Sequence, residues 1–371
     1  MRANHLYIHV PFCARRCVYC DFSIAVRPQV PAAEYLHALA AEWDVRHASS
    51  TFDVSTLYFG GGTPSRLGSD VDRLLDLVKR RANLHPDAEV TLEANPDDVT
   101  AEHANAWRRA GINRVSLGVQ SFDDATLRWM HRSHNAAQAR DALRILRDAG
   151  IANVSIDLIF ATPGTIARSW RQDLDAALGL ELPHVSVYGL TVESHTPLGR
   201  WVGRSDVDEA PEDRFEQEFV QAHDALVGAG FEHYEVSNYG KPGMHSRHNW
   251  AYWTRSPYAG FGPSAHEFDG RTRRWNIAPY VEWARTAISR RDTEAGEETL
   301  ASDQVEAEQT YLGLRTNSGV RMADEDIETF GPWIEANWAT RDAAGMLRLT
   351  PLGWLRLDAI ASSLTILRSR Y

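Results

Sequence analysis

The stretch PFCARRCVYCDFS, residues 11–23, contains every cysteine of this 371-residue chain, namely Cys13, Cys17 and Cys20. Their spacing is C-x3-C-x2-C, which lets one loop direct three thiols toward a common centre. An odd number of cysteines cannot pair completely in disulfides, and a reducing compartment would not favour disulfides. Arg15 and Arg16 lie between the thiols, and positive charge favours the thiolate form that binds metals. The loop is therefore a candidate metal or cluster site.

Three kinds of site are compatible with this spacing. The thiols could simply be small buried apolar groups, although this would not explain why all of them cluster. A zinc site would need a fourth protein ligand, which His5 or His9 would supply. An iron–sulfur cluster held by three thiolates would leave one of four irons open to bind another molecule. The clustering favours the iron–sulfur cluster.

The composition limits the classes of function. Hydrophobic residues make up 43% and charged residues 24% of the chain, as in ordinary globular proteins. The net charge of -11 would repel a phosphate backbone and argues against a nucleic-acid partner. No segment reaches the roughly eighteen unbroken apolar residues of a membrane-spanning helix. The N-terminal residues lack the long apolar region of a secretory signal, so we expect a cytoplasmic protein.

Short apolar strands alternate with helical segments over the first half of the chain. Such alternation predicts a parallel α/β sheet with right-handed crossovers, either open or curved into a partial barrel. In both cases the chemistry belongs at the carboxyl ends of the strands. The predicted strands are 6–10, 54–62, 89–94, 114–119, 153–160 and 184–190, and the predicted helices are 31–48, 69–83, 101–110 and 135–149.

Polar and glycine-rich motifs fall at these strand ends. The turn GGGTPS, residues 60–65, exposes backbone N–H groups and allows a ligand to approach closely. Glu93 ends the third strand, Gln120 follows the fourth, and Asp157 lies near the end of the fifth. Each alone is also typical of a turn, a cap or a surface charge, but together they indicate a site.

The cysteine motif, with the aromatic Tyr19 before its last cysteine, resembles that of the radical SAM family. The resemblance implies a partial (β/α)6 barrel with a [4Fe–4S] cluster on Cys13, Cys17 and Cys20. It also implies that S-adenosylmethionine binds the open iron and is cleaved to a deoxyadenosyl radical. The residues that match the family's cofactor-binding positions are Tyr7, Tyr19, Gly61, Gly62, Thr63, Glu93, Gln120, Arg132 and Asp157. Two positions depart from the family pattern, because Ala161 and His131 stand where glycine is common.

Further motifs resemble one branch of that family, the oxygen-independent coproporphyrinogen-III-oxidase-like group. They are YIHVPFC, GGGTPS, EANP, SLGVQSF and YEVSNY, spread over residues 5–280. The oxidase itself has a further cysteine where Phe22 stands, and a long extension before its first strand, which here begins near residue 6. In both respects the chain is similar to HemW-type heme chaperones.

The segment HNWAYW, residues 248–253, matches the H-N-x-x-Y-W signature of the same branch. The resemblance implies heme contact through His248, Asn249, Tyr252 and Trp253, since histidine ligates heme iron and aromatic rings pack on porphyrins. The alternative is that His248 is a hydrogen-bonded structural histidine and that the aromatic side chains belong to the core or only shape the cofactor site.

The resemblance thus implies a heme chaperone that binds a [4Fe–4S] cluster, S-adenosylmethionine and heme, and delivers heme to acceptor hemoproteins. The rival is a radical SAM enzyme acting on tetrapyrroles, either a coproporphyrinogen III oxidase or a heme-degrading or methyltransferase relative. Whether the chain is an enzyme stays open, and so do a homodimer and transient membrane association.

The remaining residues form a second predicted unit. We expect residues 1–279 to form the radical SAM core with its heme-associated segment, and residues 280–371 a small, mainly helical C-terminal domain. Helices are predicted at 280–290 and 303–315, and a strand followed by a helix near the end gives winged-helix character. Thr350 is the predicted N-cap of that last helix and Pro351 its first residue.

Overall fold

A computed structural model describes residues 2–164 and 166–368. Within these ranges, twelve strands form one sheet, at whose centre six parallel strands lie side by side in chain order. This arrangement confirms the predicted partial (β/α)6 barrel. The six strands are β1 (Arg2–Val10), β2 (Thr51–Gly61), β3 (Asn83–Ala94), β4 (Arg114–Gln120), β5 (Asn153–Phe160) and β6 (His184–Gly189).

The two-residue period of each strand separates an apolar face from a polar face. In β1, Leu6, Ile8 and Val10 are fully buried in the core. The alternate residue Tyr7 points the other way, where its ring stacks on Tyr58 of β2. The polar face of the central strands therefore lines the inside of the barrel, where a ligand site can form.

The helices follow the strands and cover the outer face of the sheet, and four of the six before the last parallel strand were predicted. Thr100 accepts a hydrogen bond from the backbone N–H of His103, and Gly111 ends the same helix with a φ of 120°. The helices up to β6 are α1 (Ala32–Arg46), α2 (Val71–Lys79), α3 (Ala101–Ala110), α4 (Asp124–Trp129), α5 (Ala136–Asp148) and α6 (Trp170–Leu178). Short 3-10 helices lie at Pro64–Asp70 and Pro96–Asp98.

Short strands extend the sheet at both edges. On one edge, β7 (Glu232–Glu235) and β8 (Asn238–Gly240) add antiparallel to β6. On the other edge, β9 (Tyr258–Phe261) pairs parallel with β1. Three antiparallel strands follow it, β10 (His266–Phe268), β11 (Thr272–Asn276) and β12 (Glu294–Thr299). The seventh parallel strand was not predicted, because four residues are too few to show a periodicity.

Three helices occupy the connections between β6 and β9. They are α7 (Pro197–Gly203), α8 (Glu212–Gly228) and α9 (Arg247–Trp253). The last of these contains the HNWAYW segment.

The C-terminal part combines helices with a small three-stranded sheet, and its winged-helix character stays a prediction. Its strands are β13 (Val320–Arg321), β14 (Ala339–Arg341) and β15 (Met346–Leu349), with β15 in the middle. Its helices are α10 (Tyr280–Ile288), α11 (Ser302–Leu314), α12 (Ile327–Glu335), α13 (Pro351–Trp354) and α14 (Leu357–Arg368), with a 3-10 turn at Asp324–Asp326. Thr350 caps α13 by accepting a hydrogen bond from the backbone N–H of Gly353, as predicted.

The start of this C-terminal part packs directly on the barrel. The ring of Tyr280 lies 4.9 Å from that of Phe12, and the ring of Trp283 lies 5.8 Å from that of Tyr35. Strand β12 also belongs to the large sheet. The domain boundary at residue 280 stays a prediction. Across residues 2–164 and 166–368, every helix is too short or too polar to cross a membrane.

Candidate cofactor site

A cavity of about 470 Å³ opens at the carboxyl ends of the six parallel strands. All three cysteines line it, together with eight of the nine residues that the family pattern assigns to S-adenosylmethionine. These eight are Tyr19, Gly61, Gly62, Thr63, Glu93, Gln120, Arg132 and Asp157. Residues from six separate strand ends therefore meet in one enclosure.

The ninth residue, Tyr7, lies beside the cavity rather than on its wall. Within the described part of the chain, Tyr7 is not among the residues that line the cavity. Its ring stacks on Tyr58 at 6.2 Å, and its hydroxyl lies 3.1 Å from Nδ1 of His9. Tyr7 therefore packs behind the residues that form the cavity wall.

Two side chains contact the thiols. The Thr63 hydroxyl lies 3.4 Å from Sγ of Cys13, and Nη1 of Arg132 donates to Sγ of Cys17 at 3.4 Å. The backbone N–H of Cys20 donates to the carbonyl of Cys17 at 3.3 Å, which turns the loop. The thiols are thus positioned by groups that can donate hydrogen bonds to thiolates.

The expected effect of the neighbouring arginines on the thiols is outweighed by burial. Burial raises the pKa of Cys13, and it raises the pKa of Cys20 to about 11 despite the charge of Arg16. Without a bound metal these thiols are protonated at neutral pH, so binding iron would release their protons.

Of the two histidines considered for a zinc site, His9 has both ring nitrogens engaged and His5 has one. The ring nitrogens of His9 already face the Tyr7 hydroxyl and, at 3.0 Å, the carbonyl of Ser23. Nδ1 of His5 faces the Thr56 hydroxyl at 2.9 Å. In the described part of the chain, no three or more His, Cys, Asp or Glu side chains surround a position for one metal ion.

Two half-buried carboxylates also line the cavity. Glu93 accepts hydrogen bonds from the backbone N–H of Gly61 at 3.0 Å and from the Tyr58 hydroxyl at 2.8 Å. Asp157 accepts one from Ser116 at 3.2 Å. Burial raises the pKa of Glu93 to about 7 and that of Asp157 to about 6. The pair can offer negative charge to a cationic ligand at neutral pH.

Arg132 joins the strand ends of the site. Its Nη2 donates to the carbonyl of Gly118 at 2.8 Å and to the Asn95 side chain, while its other nitrogen reaches Cys17. Gln120 holds a left-handed φ of 66° where β4 ends. Asn95 also lines the cavity, and sequence reasoning did not single it out. The EANP motif, in which Asn95 follows Glu93 by two residues, was the available signal.

The predicted heme residue His248 is enclosed between α9 and the inside of the barrel. Its Nδ1 lies 2.7 Å from the Thr56 hydroxyl, and its Nε2 lies 2.9 Å from the Tyr252 hydroxyl. Its ring stacks on Tyr58 at 5.1 Å, and only 1% of the residue is exposed. Burial lowers its pKa to about 3. In this conformation the geometry favours the structural alternative, and heme contact by His248 stays a prediction.

The rest of the segment packs in a similar way. Tyr252 meets the ring of Tyr258 edge-on at 4.7 Å, and the Arg315 guanidinium lies 4.8 Å from the ring of Trp253. The N–H of Asn249 donates to the Ser246 hydroxyl, which caps the helix. These contacts fasten α9 to the strands and to the C-terminal part.

An acidic residue that sequence reasoning missed holds the start of this helix. The carboxylate of Glu89 in β3 accepts hydrogen bonds from the backbone N–H groups of Arg247 at 3.2 Å and His248 at 3.0 Å. A carboxylate at a helix N-terminus is stabilising because it meets unpaired N–H groups. No sequence pattern links Glu89 to a helix more than 150 residues away.

Both departures from the family's glycines adopt a backbone that glycine favours. Ala161 has a φ of 55°, and His131 has a φ of 58°. The N–H of Ala161 donates to the buried carboxylate of Glu218 at 2.7 Å. Neither departure from glycine replaces one of the predicted cofactor residues that line the cavity.

Comparison with known proteins extends this picture. The Radical SAM superfamily model matches residues 7–177. The heme chaperone HemW of Lactococcus lactis is 35% identical over 86% of this chain and 83% of its own length. The corresponding HemW of Mycobacterium tuberculosis is 38% identical, with 86% and 83% covered. HemW of Escherichia coli is 40% identical, with 70% of this chain and 69% of its own covered.

Among solved structures, coproporphyrinogen III oxidase (HemN) from Escherichia coli matches with a TM-score of 0.82. The match covers 98% of this chain and 90% of that one at 22% identity, so it speaks for the fold alone. The sequence identity to the HemW proteins extends over most of both chains. It therefore assigns this chain to a family, which the fold match alone does not. This chain belongs to the HemW heme chaperone family within the radical SAM superfamily.

Proposed function

We propose that this protein holds one [4Fe–4S] cluster on Cys13, Cys17 and Cys20, binds S-adenosylmethionine beside it, and carries heme to hemoproteins. The observation that supports the proposal most is the single cavity in which the three thiols and eight predicted cofactor residues meet. When bound, the cluster would supply an open iron and a single electron.

The chain's own residues would bind and orient these cofactors. Thr63 and Arg132 donate hydrogen bonds toward the thiolates, which stabilises their charge. Glu93 and Asp157 face the cavity with negative charge suited to the ammonium and sulfonium of S-adenosylmethionine. Glu93 also fixes the glycine turn through the N–H of Gly61.

The heme part of the proposal rests on the names of the relatives and on Phe22, which stands where the oxidase has a further cysteine. Catalysis on a tetrapyrrole is the rival function. The acceptor hemoprotein, the cytoplasmic location, a homodimer and transient membrane association stay predictions.

One paired experiment separates the two functions. The anaerobically reconstituted protein is incubated with S-adenosylmethionine, a reductant and coproporphyrinogen III, and a second sample is titrated with heme. We expect stoichiometric heme binding, transfer of that heme to an apo-hemoprotein, and no decarboxylated porphyrinogen. Decarboxylated product would establish the oxidase function instead. Absence of heme binding would rule out the proposed chaperone function.

A carboxylate substitution tests the cofactor site separately from heme. We expect Glu93→Gln to lower the affinity for S-adenosylmethionine by about tenfold to a hundredfold, because a charge-assisted contact of about 1.5–3 kcal/mol is lost. With a pKa of about 7, Glu93 loses its charge as the pH falls from 8 to 6, so wild-type affinity should fall over that range. In equilibrium dialysis the variant should show a weaker pH dependence than the wild type, with the remaining change confined to the lower part of the range, where Asp157 takes up a proton.

Glu193→Gln is the matched control, because Glu193 lines the rim of the same cavity. It should keep wild-type affinity for S-adenosylmethionine and the wild-type pH dependence. Equal losses in both variants would mean that Glu93 has no special role in binding.

A further inference from the structure

The mouth of the cluster cavity carries a histidine that the cofactor site does not use. His131 follows α4, lies one residue before Arg132, and is exposed while bordering the cavity. Within residues 2–164 and 166–368, no hydrogen bond or ion pair engages its imidazole. In contrast, both ring nitrogens of His248 are occupied. His131 is thus a histidine with free ring nitrogens beside the cofactors.

Its backbone is held in an unfavourable conformation. The φ of 58° lies in the left-handed region, where a residue with a Cβ is strained and glycine is not. The N–H of His131 donates to the carbonyl of Arg128 at 3.1 Å, and the N–H of Arg132 donates to that of Leu127 at 2.9 Å. The turn is therefore fixed, and it presents the imidazole at the rim.

One aromatic side chain packs against this histidine, and others line the same cavity. The indole of Trp201 in α7 meets the imidazole edge-on at 6.1 Å, and Trp129 lies 6.4 Å from Trp201. Phe22 and Tyr188 line the same cavity and are unusually exposed for their size, at 61% and 40%. Exposed aromatic rings around an opening can pack on a flat apolar ligand.

The rim also carries charges of both signs. Arg15 lines the cavity and Arg16 lies next to it, and both are exposed. Asp21 and Glu193 line the rim as well. Carboxylates of a ligand would be drawn to the arginines and repelled by the acids.

From these features we infer that the mouth of the cluster cavity binds heme, with a ring nitrogen of His131 as a ligand to the heme iron. The inference rests on the proposed function, because it gives the place at which this chain holds its cargo. The cavity of about 470 Å³ has to accommodate the cluster and S-adenosylmethionine, so a tetrapyrrole fits at its mouth and not deeper. Phe22 and Trp201 pack on the porphyrin, and Arg15 and Arg16 pair with its propionates.

The test is His131→Gly, since glycine relieves the strain and should leave the fold intact. Ferric heme is titrated into the reconstituted wild type and variant under anaerobic conditions. We expect a shifted Soret band and at least about a tenfold weaker affinity, as for other disrupted metal sites. Added free imidazole should restore the wild-type spectrum in the variant. Iron and sulfide contents should be unchanged, because the cluster ligands are untouched.

His195→Ala is the matched control, because His195 is also exposed and lies near the rim residue Glu193. It should bind heme with the wild-type spectrum and affinity. An unchanged Soret band and affinity in His131→Gly would overturn the inference while leaving heme binding by the chain intact. Absence of heme binding in the wild type would instead be the failure of the proposed function.

Discussion

Replacing Cys17 with alanine is expected to abolish the iron–sulfur cluster. Cys17 is one of only three thiols in the chain, and Arg132 donates directly to its sulfur. The variant would keep two thiolates, because the chain has no other cysteine to replace the lost one. Two thiolates cannot hold a four-iron cluster that is normally held by three. After anaerobic reconstitution, the variant should lose the near-ultraviolet and visible absorbance of the cluster and nearly all bound iron and sulfide.

Phe22→Ala is the matched control, because Phe22 lies in the same loop and is largely exposed. It should retain wild-type iron and sulfide, although its heme affinity should fall if the ring packs on the porphyrin. Iron and sulfide at wild-type levels in the Cys17→Ala protein would show that the cluster is held elsewhere or is absent from this loop.

Replacing His248 with alanine is expected to destabilise the fold and to leave heme affinity nearly unchanged. The substitution removes hydrogen bonds to Thr56 and Tyr252 and the ring that stacks on Tyr58, all in a buried place. The lost hydrogen bonds and the cavity left by the ring together cost about 2–4 kcal/mol in the free energy of unfolding. Denaturant unfolding and heme titration of the same preparation measure both effects.

His37→Ala on α1 provides the comparison, since His37 is exposed and its loss should change stability by less than about 0.5 kcal/mol. A His248→Ala protein with wild-type stability but a changed Soret band would restore His248 as the heme ligand. That result would also require α9 to leave the barrel when heme binds.

The sequence was sufficient for the parts of the fold that depend on local pattern. The six parallel strands could be predicted because each is a short apolar run between a helix and a turn. The meeting of the polar strand-end residues in one place could be predicted because the carboxyl ends of parallel strands lie at one edge of a sheet. This is why Glu93, Gln120 and Asp157 line one cavity although they lie far apart in the chain. Their roles toward a cofactor, in contrast, came from the family resemblance and stay predictions.

The remaining features depend on contacts that no local pattern contains. Glu89 caps α9 only because the helix returns to the barrel after more than 150 residues. The surroundings of His248 also depend on how this helix packs against the barrel. The HNWAYW segment alone could therefore not distinguish a heme ligand from a structural histidine. Burial also reversed the predicted influence of the arginines on Cys20, because desolvation depends on the folded surroundings.

The position of α9 has a consequence for the order in which ligands enter and leave. Behind Glu93, the barrel is filled by Tyr58, which rests on His248, which in turn rests on Tyr252. In the described ranges this leaves the mouth as the route to the deep part of the cavity. Heme bound at the mouth would therefore trap S-adenosylmethionine beneath it, and the cofactor would have to enter first and leave last. Delivery of the heme would then reopen the cavity for exchange of the cofactor.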